Sequence, residues 1–279
     1  MSEEGTSAAR TCALVGTGRA GGAVGIALVE AGWHVVRVAG RSADAASVRA
    51  AADRFGADSV DVAAVGAGSS LVVIGTPDAA IRDVAASIAP GLEPGTLVVH
   101  LAGSVGVGAL APITEMRDDV EIGALHPLQT LPSPDAGAAR LAGAWGAVAG
   151  SPRVAELATE LGLEPFAIDD ADRAAYHAAA SVASNHLVAL LGQVERIASS
   201  AHAPFAAFEP LARATVDNAF ALGPAAALTG PIARGDAETV VRHLAAVEQA
   251  EHRSYTALAH AAARLAGRAD DPELREVLA

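Results

Sequence analysis

"VGTGRAGGAV" occupies Val15–Val24 and packs four glycines into ten residues around an arginine. Glycine is entropically costly to order, so such a cluster marks a tight turn or a close backbone approach to a ligand. Its surroundings narrow the choice. "CALVG" (12–16) reads as a short buried strand, "AGGAVGIALVEAG" (20–32) as a helix ending at Gly32, and "HVVRVAG" (34–40) as a second strand. "GTGRAG" (16–21) therefore fits G-x-G-x-x-G between a strand and a helix, the context a dinucleotide-binding turn requires. Gly16 would permit the turn, Gly18 would admit a pyrophosphate, and Gly21 would let helix and strand pack closely. Thr17, Arg19 and Ala20 complete the loop, and the helix N-terminus adds N–H donors for an anion. The alternative is a glycine-rich connection with no ligand.

Further apolar runs follow at 70–75, 96–103, 120–127, 144–150 and 165–170, with helical stretches at 44–56 and 79–90. Strands alternating with helices predict βαβ units and a mostly parallel sheet. After Asp169-Asp170 no strand candidate appears. The segment 171–202 reads as one long helix and 237–267 as another, with "GPAAALTGPIARGD" as a loop region before it. The expectation is an α/β nucleotide-binding domain over 1–169 and an all-α C-terminal domain over 170–279, serving substrate binding and dimerisation. At about 150 residues per domain, 279 residues suit two modest domains.

Composition limits the function classes. The formal charge is −13 with no basic block, which argues against nucleic acid and anionic membranes as partners. All 19 basic residues are arginine, so a catalytic lysine is excluded. Cys12 is the single cysteine and sits in an apolar run, which suits a core residue in a reducing, cytoplasmic compartment. The polar, acidic start "MSEEGTSAAR" does not read as a signal peptide. No metal-ligand spacing, nucleophile elbow or P-loop is present.

The end of the second strand refines the cofactor. An NAD site places an acid there for the ribose 2′-OH, whereas this chain reads "AGRS". Arg41 and Ser42, with Arg19 in reach, suit a 2′-phosphate and hence NADP(H). Ligands of such sheets lie beyond the carboxyl ends of the strands. "GTPDAAI" places Thr76, Pro77 and Asp78 there, along the nicotinamide half. "VVHLAGSVG" places His100 in a strand and Ser104 after it, and "GALHPLQTLP" fixes His126 at a strand end by Pro127. His126 is a candidate proton donor or substrate ligand. His177, Ser181 and Asn185 recur every four residues on an otherwise apolar helix, which predicts a cleft-lining catalytic face, with His177 or His126 as proton donor and Ser181 and Asn185 orienting the carbonyl. Thr229 and Arg234 in "TGPIARGD" are candidate substrate contacts, Arg234 as a carboxylate clamp.

Taken together, "GTGRAG", "AGRS", "GTPDAAI", "GALHPLQTLP", "ASVASNHLVAL" and "TGPIARGD" resemble a bacterial oxidoreductase family. Its members join a Rossmann-like domain to a helical domain of unknown function, and the resemblance runs over nearly the whole chain. The layout is also similar to ketopantoate reductases, pyrroline-5-carboxylate reductases and prephenate dehydrogenases. The resemblance to prephenate dehydrogenases implies that Ser104 and His126 contact substrate. The resemblance to ketopantoate reductases implies that His177, Ser181 and Asn185 stand where those enzymes carry a Lys–Asn–Asn stripe. The lysine is missing here. The expected activity is reduction of a small 2-oxo acid or related carbonyl, ketopantoate among them, by NADPH in a homodimer. An imine or pyrroline reductase and a non-catalytic NADP sensor are the alternatives.

Overall fold

The computed structural model describes residues 10–279, so the start of the first expected domain and most of the segment "MSEEGTSAAR" lie outside the described residues. The chain divides into two compact units, the first ending at Ser184 and the second running Asn185–Ala279.

Eight strands of the first unit form one sheet: β1 (Thr11–Val15), β2 (His34–Ala39), β3 (Asp58–Ser59), β4 (Leu71–Ile74), β5 (Leu97–His100), β6 (Glu121–Pro127), β7 (Trp145–Gly150) and β8 (Glu164–Ala167). Their order is β3-β2-β1-β4-β5-β6-β7-β8. Pairing is parallel from β3 through β6, β7 runs antiparallel to β6, and β8 lies parallel to β7. The strand order reverses direction between β1 and β4, the position at which open α/β sheets bind ligands. Helices α1 (Arg19–Glu30), α2 (Ala46–Phe55), α3 (Ile81–Ile88), α4 (Ala111–Thr114), α5 (Pro134–Ala138), α6 (Arg153–Glu160) and α7 (Arg173–Ser181) complete the unit.

The central strands are apolar without alternation because both sheet faces are covered. Along β1, Cys12 and Leu14 join a core with Val24, Leu28, Val73 and Val99, while Ala13 and Val15 join one with Ile74, Ile81, Ile88 and Leu110. Successive side chains of one strand thus feed opposite cores. Cys12 is fully buried, and that burial pushes its thiol up to about 12.

The second unit is helical: α8 (Leu187–Ser200), α9 (Glu209–Leu222), α10 (Pro224–Ala227), α11 (Pro231–Arg234), α12 (Ala237–Ala246), α13 (Gln249–Leu265) and α14 (Pro272–Val277). A small core gathers Ile232, Val240, Ala259, Ala263, Leu274 and Leu278. Gln193 donates to the Glu251 carbonyl and to Ser254 Oγ, and Arg196 pairs with Glu251, which ties α8 to α13. Helix α9 has no buried residue; Leu211, Phe220 and Leu222 on it are exposed.

Four expectations need correction. The helix expected over 171–202 contains a π-helical turn at Val182–His186 between α7 and α8. The helix expected over 237–267 breaks where Val247 and Glu248 both turn extended. His252 Nε2 bonds the Val247 carbonyl at 2.9 Å, which compensates the break with a side chain instead of a glycine or proline. The loop expected over 223–236 holds the short helices α10 and α11. Residues 170–184, expected in the second domain, belong to the first compact unit. Arg173 is fully buried there, and Asp170 accepts from the amides of Val107 and Gly108 at 3.0 and 3.4 Å.

Candidate functional site

The loop from β1 to α1 uses its glycines for two different purposes. Gly16 has φ +83°, and a Cβ on it would stand 2.9 Å from the Gly75 carbonyl carbon and Thr76. A Cβ on Gly21 would collide with the Gly16 carbonyl oxygen. Gly18 differs: its φ is −69°, open to any residue, and a Cβ there meets nothing within 4 Å. The fold requires Gly16 and Gly21, whereas Gly18 keeps an open space above the backbone. Gly18 also caps α1 without any side-chain hydrogen bond, and the first turn carries no acid. The leading amides of a twelve-residue helix thus face that space, an arrangement suited to an anion. Beside it, Thr76 Oγ1 is buried without a partner.

The other loop residues are distributed around this space. Ala20 packs on the core. Arg19, Arg41 and Ser42 are exposed, and no carboxylate pairs with either arginine among the described residues. The Ser42 hydroxyl accepts from the Asp44 amide at 3.2 Å, which shapes the turn after β2. Pro77 is exposed and precedes the 3₁₀ turn at Asp78–Ala80.

A second group forms beyond β4, β5 and β6, at the same carboxyl edge of the parallel strands. Ser104 donates to Asp78 Oδ2 at 2.7 Å. His126 Nδ1 lies 2.7 Å from Tyr176 Oη. The rings of His126 and His177 meet edge to face with centroids 6.0 Å apart. A Cβ on Gly103 would stand 2.6 Å from His177 Cδ2 and 2.9 Å from His126 Nε2, so a glycine is needed where the loop passes the two rings. Phe166 buttresses Tyr176 and is itself met by Trp145, with centroids 5.8 and 6.0 Å apart.

His100 stands one strand away and is wholly internal. The Ala102 amide donates to its Nδ1 at 3.3 Å, so its Nε2–H donates to the Gly106 carbonyl at 3.2 Å. Burial pushes this imidazole down to about 4, with Arg173 adding to the effect. Burial also holds His126 down to about 4, with His177, Arg173 and His100 opposing a proton and Asp78 favouring one. Both rings are neutral near pH 7. Tyr176 is raised to about 12, chiefly by burial. Arg173 Nη1 donates to the Ala102 carbonyl at 3.4 Å. Its Nε lies 3.4 Å from Asp170 Oδ1 without hydrogen-bond geometry, and its Nη2 has no partner.

The first unit therefore brings together Ser104 with Asp78 and His126 with His177. Ser181 is half-buried at the end of α7. Asn185 lies exposed within the π turn and at the start of the second unit, so the even four-residue spacing of the stripe does not persist in α-helical form. Thr229 and Arg234 are exposed in the second unit, Arg234 in the last turn of α11. Sequence reasoning missed Arg173 and Tyr176. Their spacing with His177, at i, i+3 and i+4 on one helix face, was the signal available.

Residues 3–127 match the model of the Rossmann-like domain, and residues 146–262 match that of DUF2520, a domain of unknown function. The chain joins a Rossmann-like domain to a DUF2520 domain. This agrees with the expected α/β domain with a mostly parallel sheet followed by an all-α domain. Among solved structures, a Bacteroides fragilis protein described as an NADP oxidoreductase is 23% identical with a TM-score of 0.74, over 91% of this chain and 98% of its own. A Thermotoga maritima protein is 23% identical with a TM-score of 0.64, over 96% and 98%. The pyrroline carboxylate reductase of Plasmodium falciparum, solved with NADP bound, is 11% identical with a TM-score of 0.61, over 96% and 99%. No curated protein matches the chain. Among the described residues no helix is long and apolar enough to cross a membrane.

Proposed function

We propose that the chain is an NADP-dependent reductase of a small 2-oxo acid or related carbonyl, with ketopantoate as the first substrate to try. The observation that carries this reading is the open space over Gly18 on the carboxyl edge that also holds His126, whose Nε2 has no partner among the described residues. The first-turn amides of α1 would hold the pyrophosphate, with Arg41, Ser42 and Arg19 on the 2′-phosphate. Thr76 and Pro77 would line the nicotinamide half, where the orphan Thr76 hydroxyl gains a partner. NADPH, when bound, supplies the hydride. The chain's own part is to orient the carbonyl, exclude water and deliver a proton. His126 would bond the substrate oxygen through Nε2, and Ser104, fixed by Asp78, would be a second substrate contact. The names of the similar solved structures, NADP oxidoreductase and pyrroline carboxylate reductase with NADP, support the cofactor and reaction class.

The reading includes a homodimer. A groove of about 820 Å³ is lined by Leu187, Leu191, Phe205, Phe208, Leu211 and Val216, and the neighbouring surface of α8 and α9 is apolar and exposed. Such a surface on a soluble chain calls for a cover, here a second copy. Light scattering at micromolar concentration should give twice the mass of one chain; a monomer refutes this part.

The test of the activity is NADPH oxidation over a panel of 2-oxo acids including ketopantoate, with rescue of a pantothenate auxotroph. Tight NADPH binding with no turnover of any carbonyl would favour the sensor reading instead.

A further inference from the structure

Near neutral pH a half-buried, uncharged imidazole such as His126 is a poor acid on its own. It gives up its Nε2 proton to a developing alkoxide only if Nδ1 receives another at the same time. Among the described residues the Nδ1 of His126 has one neighbour able to do this, the Tyr176 hydroxyl at 2.7 Å. The groups facing the imidazole are His100 from β5, Asp78 from the loop after β4, and Arg173, Tyr176 and His177 from α7. Among the described residues only the tyrosine hydroxyl is within hydrogen-bond distance.

We propose that Tyr176 is the proton-supplying and positioning partner of His126. Its hydroxyl hands a proton to Nδ1 while Nε2–H protonates the substrate oxygen. The inference rests on the reductase reading above. The carbonyl carbon gains hydride from a dihydronicotinamide dinucleotide, which is oxidised. The carbonyl oxygen gains the Nε2 proton, Nδ1 gains the Tyr176 proton, and a phenolate remains. The phenolate then recovers its proton from Nδ1, and Nε2 takes one from water, so each turnover consumes one solvent proton.

Three features favour this path. Tyr176 is held on its ring by Phe166 and by His126, with centroids 5.8 and 5.6 Å away, so its hydroxyl is pre-aimed. Arg173 lies one turn earlier on the same helix, buried, with Nη2 unpartnered and Nε paired with Asp170 only by charge. That under-neutralised cation favours a transient phenolate. Burial keeps His126 from simply charging and acting alone.

The test is Tyr176→Phe, which keeps the ring and removes the hydroxyl. In the full-length protein without substrate, ¹⁵N spectra of the His126 ring should show one tautomer, Nε2–H, in the wild type and a mixture in the variant. In single-turnover NADPH oxidation with the best 2-oxo acid probe, the variant should be slower by about 10²–10³-fold with unchanged Kd for NADPH. A proton inventory in H₂O/D₂O mixtures should be bowed for the wild type, two protons moving together, and linear for the variant. A purely structural tyrosine predicts an unchanged inventory, and this result overturns the relay. So does an Nδ1–H tautomer in the wild type. A wild-type protein that reduces no carbonyl overturns the reductase reading, and the relay with it, while the tautomer measurement still judges the hydrogen-bonded pair separately.

Discussion

The ends of β5 and β6 each carry a histidine at the sheet's carboxyl edge, His100 fully buried and His126 half-buried, and burial holds both neutral. At β5, His100 has both ring nitrogens bonded to the backbone of the loop that follows. At β6, His126 is bonded, among the described residues, at Nδ1 alone, and to a side chain fifty residues away. The first ring is consumed by the fold; the second leaves a nitrogen over. The same contrast separates Gly21 from Gly18, and Arg54, which grips Asp135 with two bonds at 2.7 and 3.1 Å, from Arg41. A polar group or a missing side chain that the chain's own packing does not explain is where a ligand belongs.

The contrast is broken most directly at β6. His126→Gln should lower kcat by about 10²–10⁴-fold, the usual worth of a positioned proton-transfer group, with Kd for NADPH unchanged. Stopped-flow NADPH oxidation reads this, and full turnover in the variant would make His126 another His100. Next in size is the glycine pair. Gly18→Val should weaken NADPH at least about 100-fold while the unfolding midpoint holds, whereas Gly21→Ala should lower the midpoint because its Cβ meets the Gly16 carbonyl. Calorimetric titration and denaturant melts separate the two.

His100 predicts a stability effect. His100→Leu would strand the Ala102 N–H and the Gly106 carbonyl, at about 1–3 kcal/mol for each group. In the unfolded chain this imidazole takes up its proton near 6.5 and in the folded unit near 4, so the unfolded form binds more protons between those values. Stability is therefore complete above pH 6.5 and is lost as pH falls toward 4, by about 3 kcal/mol from this ring. Urea melts from pH 7 to 4 should show a shallower decline in His100→Leu, and an equal slope in both proteins would discard the assignment. The smallest effect belongs to Arg41. Arg41→Asp should remove a charge-assisted contact worth about 1.5–3 kcal/mol, shifting preference from NADPH toward NADH by about 10–100-fold. Equal affinities for the two cofactors in the wild type would end that argument.

Much of the first unit was legible because its central strands are continuous apolar runs and its helices carry their own boundaries. β3 was not, since Asp58–Ser59 has neither length nor pattern. The antiparallel turn of β7 against β6 was equally invisible, because strand direction leaves no mark on composition. The break at Val247–Glu248 escaped because "AAVEQAE" contains no breaker; a histidine five residues on supports it. His126 could be read from its strand end and the proline after it. For Tyr176 the sequence offers only a shared helix face with Arg173 and His177; its contact with His126 on another element leaves no mark on that spacing. Arg173 read as an ordinary start of a surface helix, and only the packing reveals a buried cation.

Cys12, finally, turns the central strand into a built-in clock. It is the chain's single thiol, sealed in the middle of the sheet and far too basic to react while closed. A thiol reagent can modify it only when β1 separates from its neighbours. Labelling rates at rising reagent concentration would thus report the free energy and the frequency of opening of the strand from which the glycine loop springs. Dinucleotide that binds that loop should slow the labelling in proportion to its occupancy, even before any substrate is known.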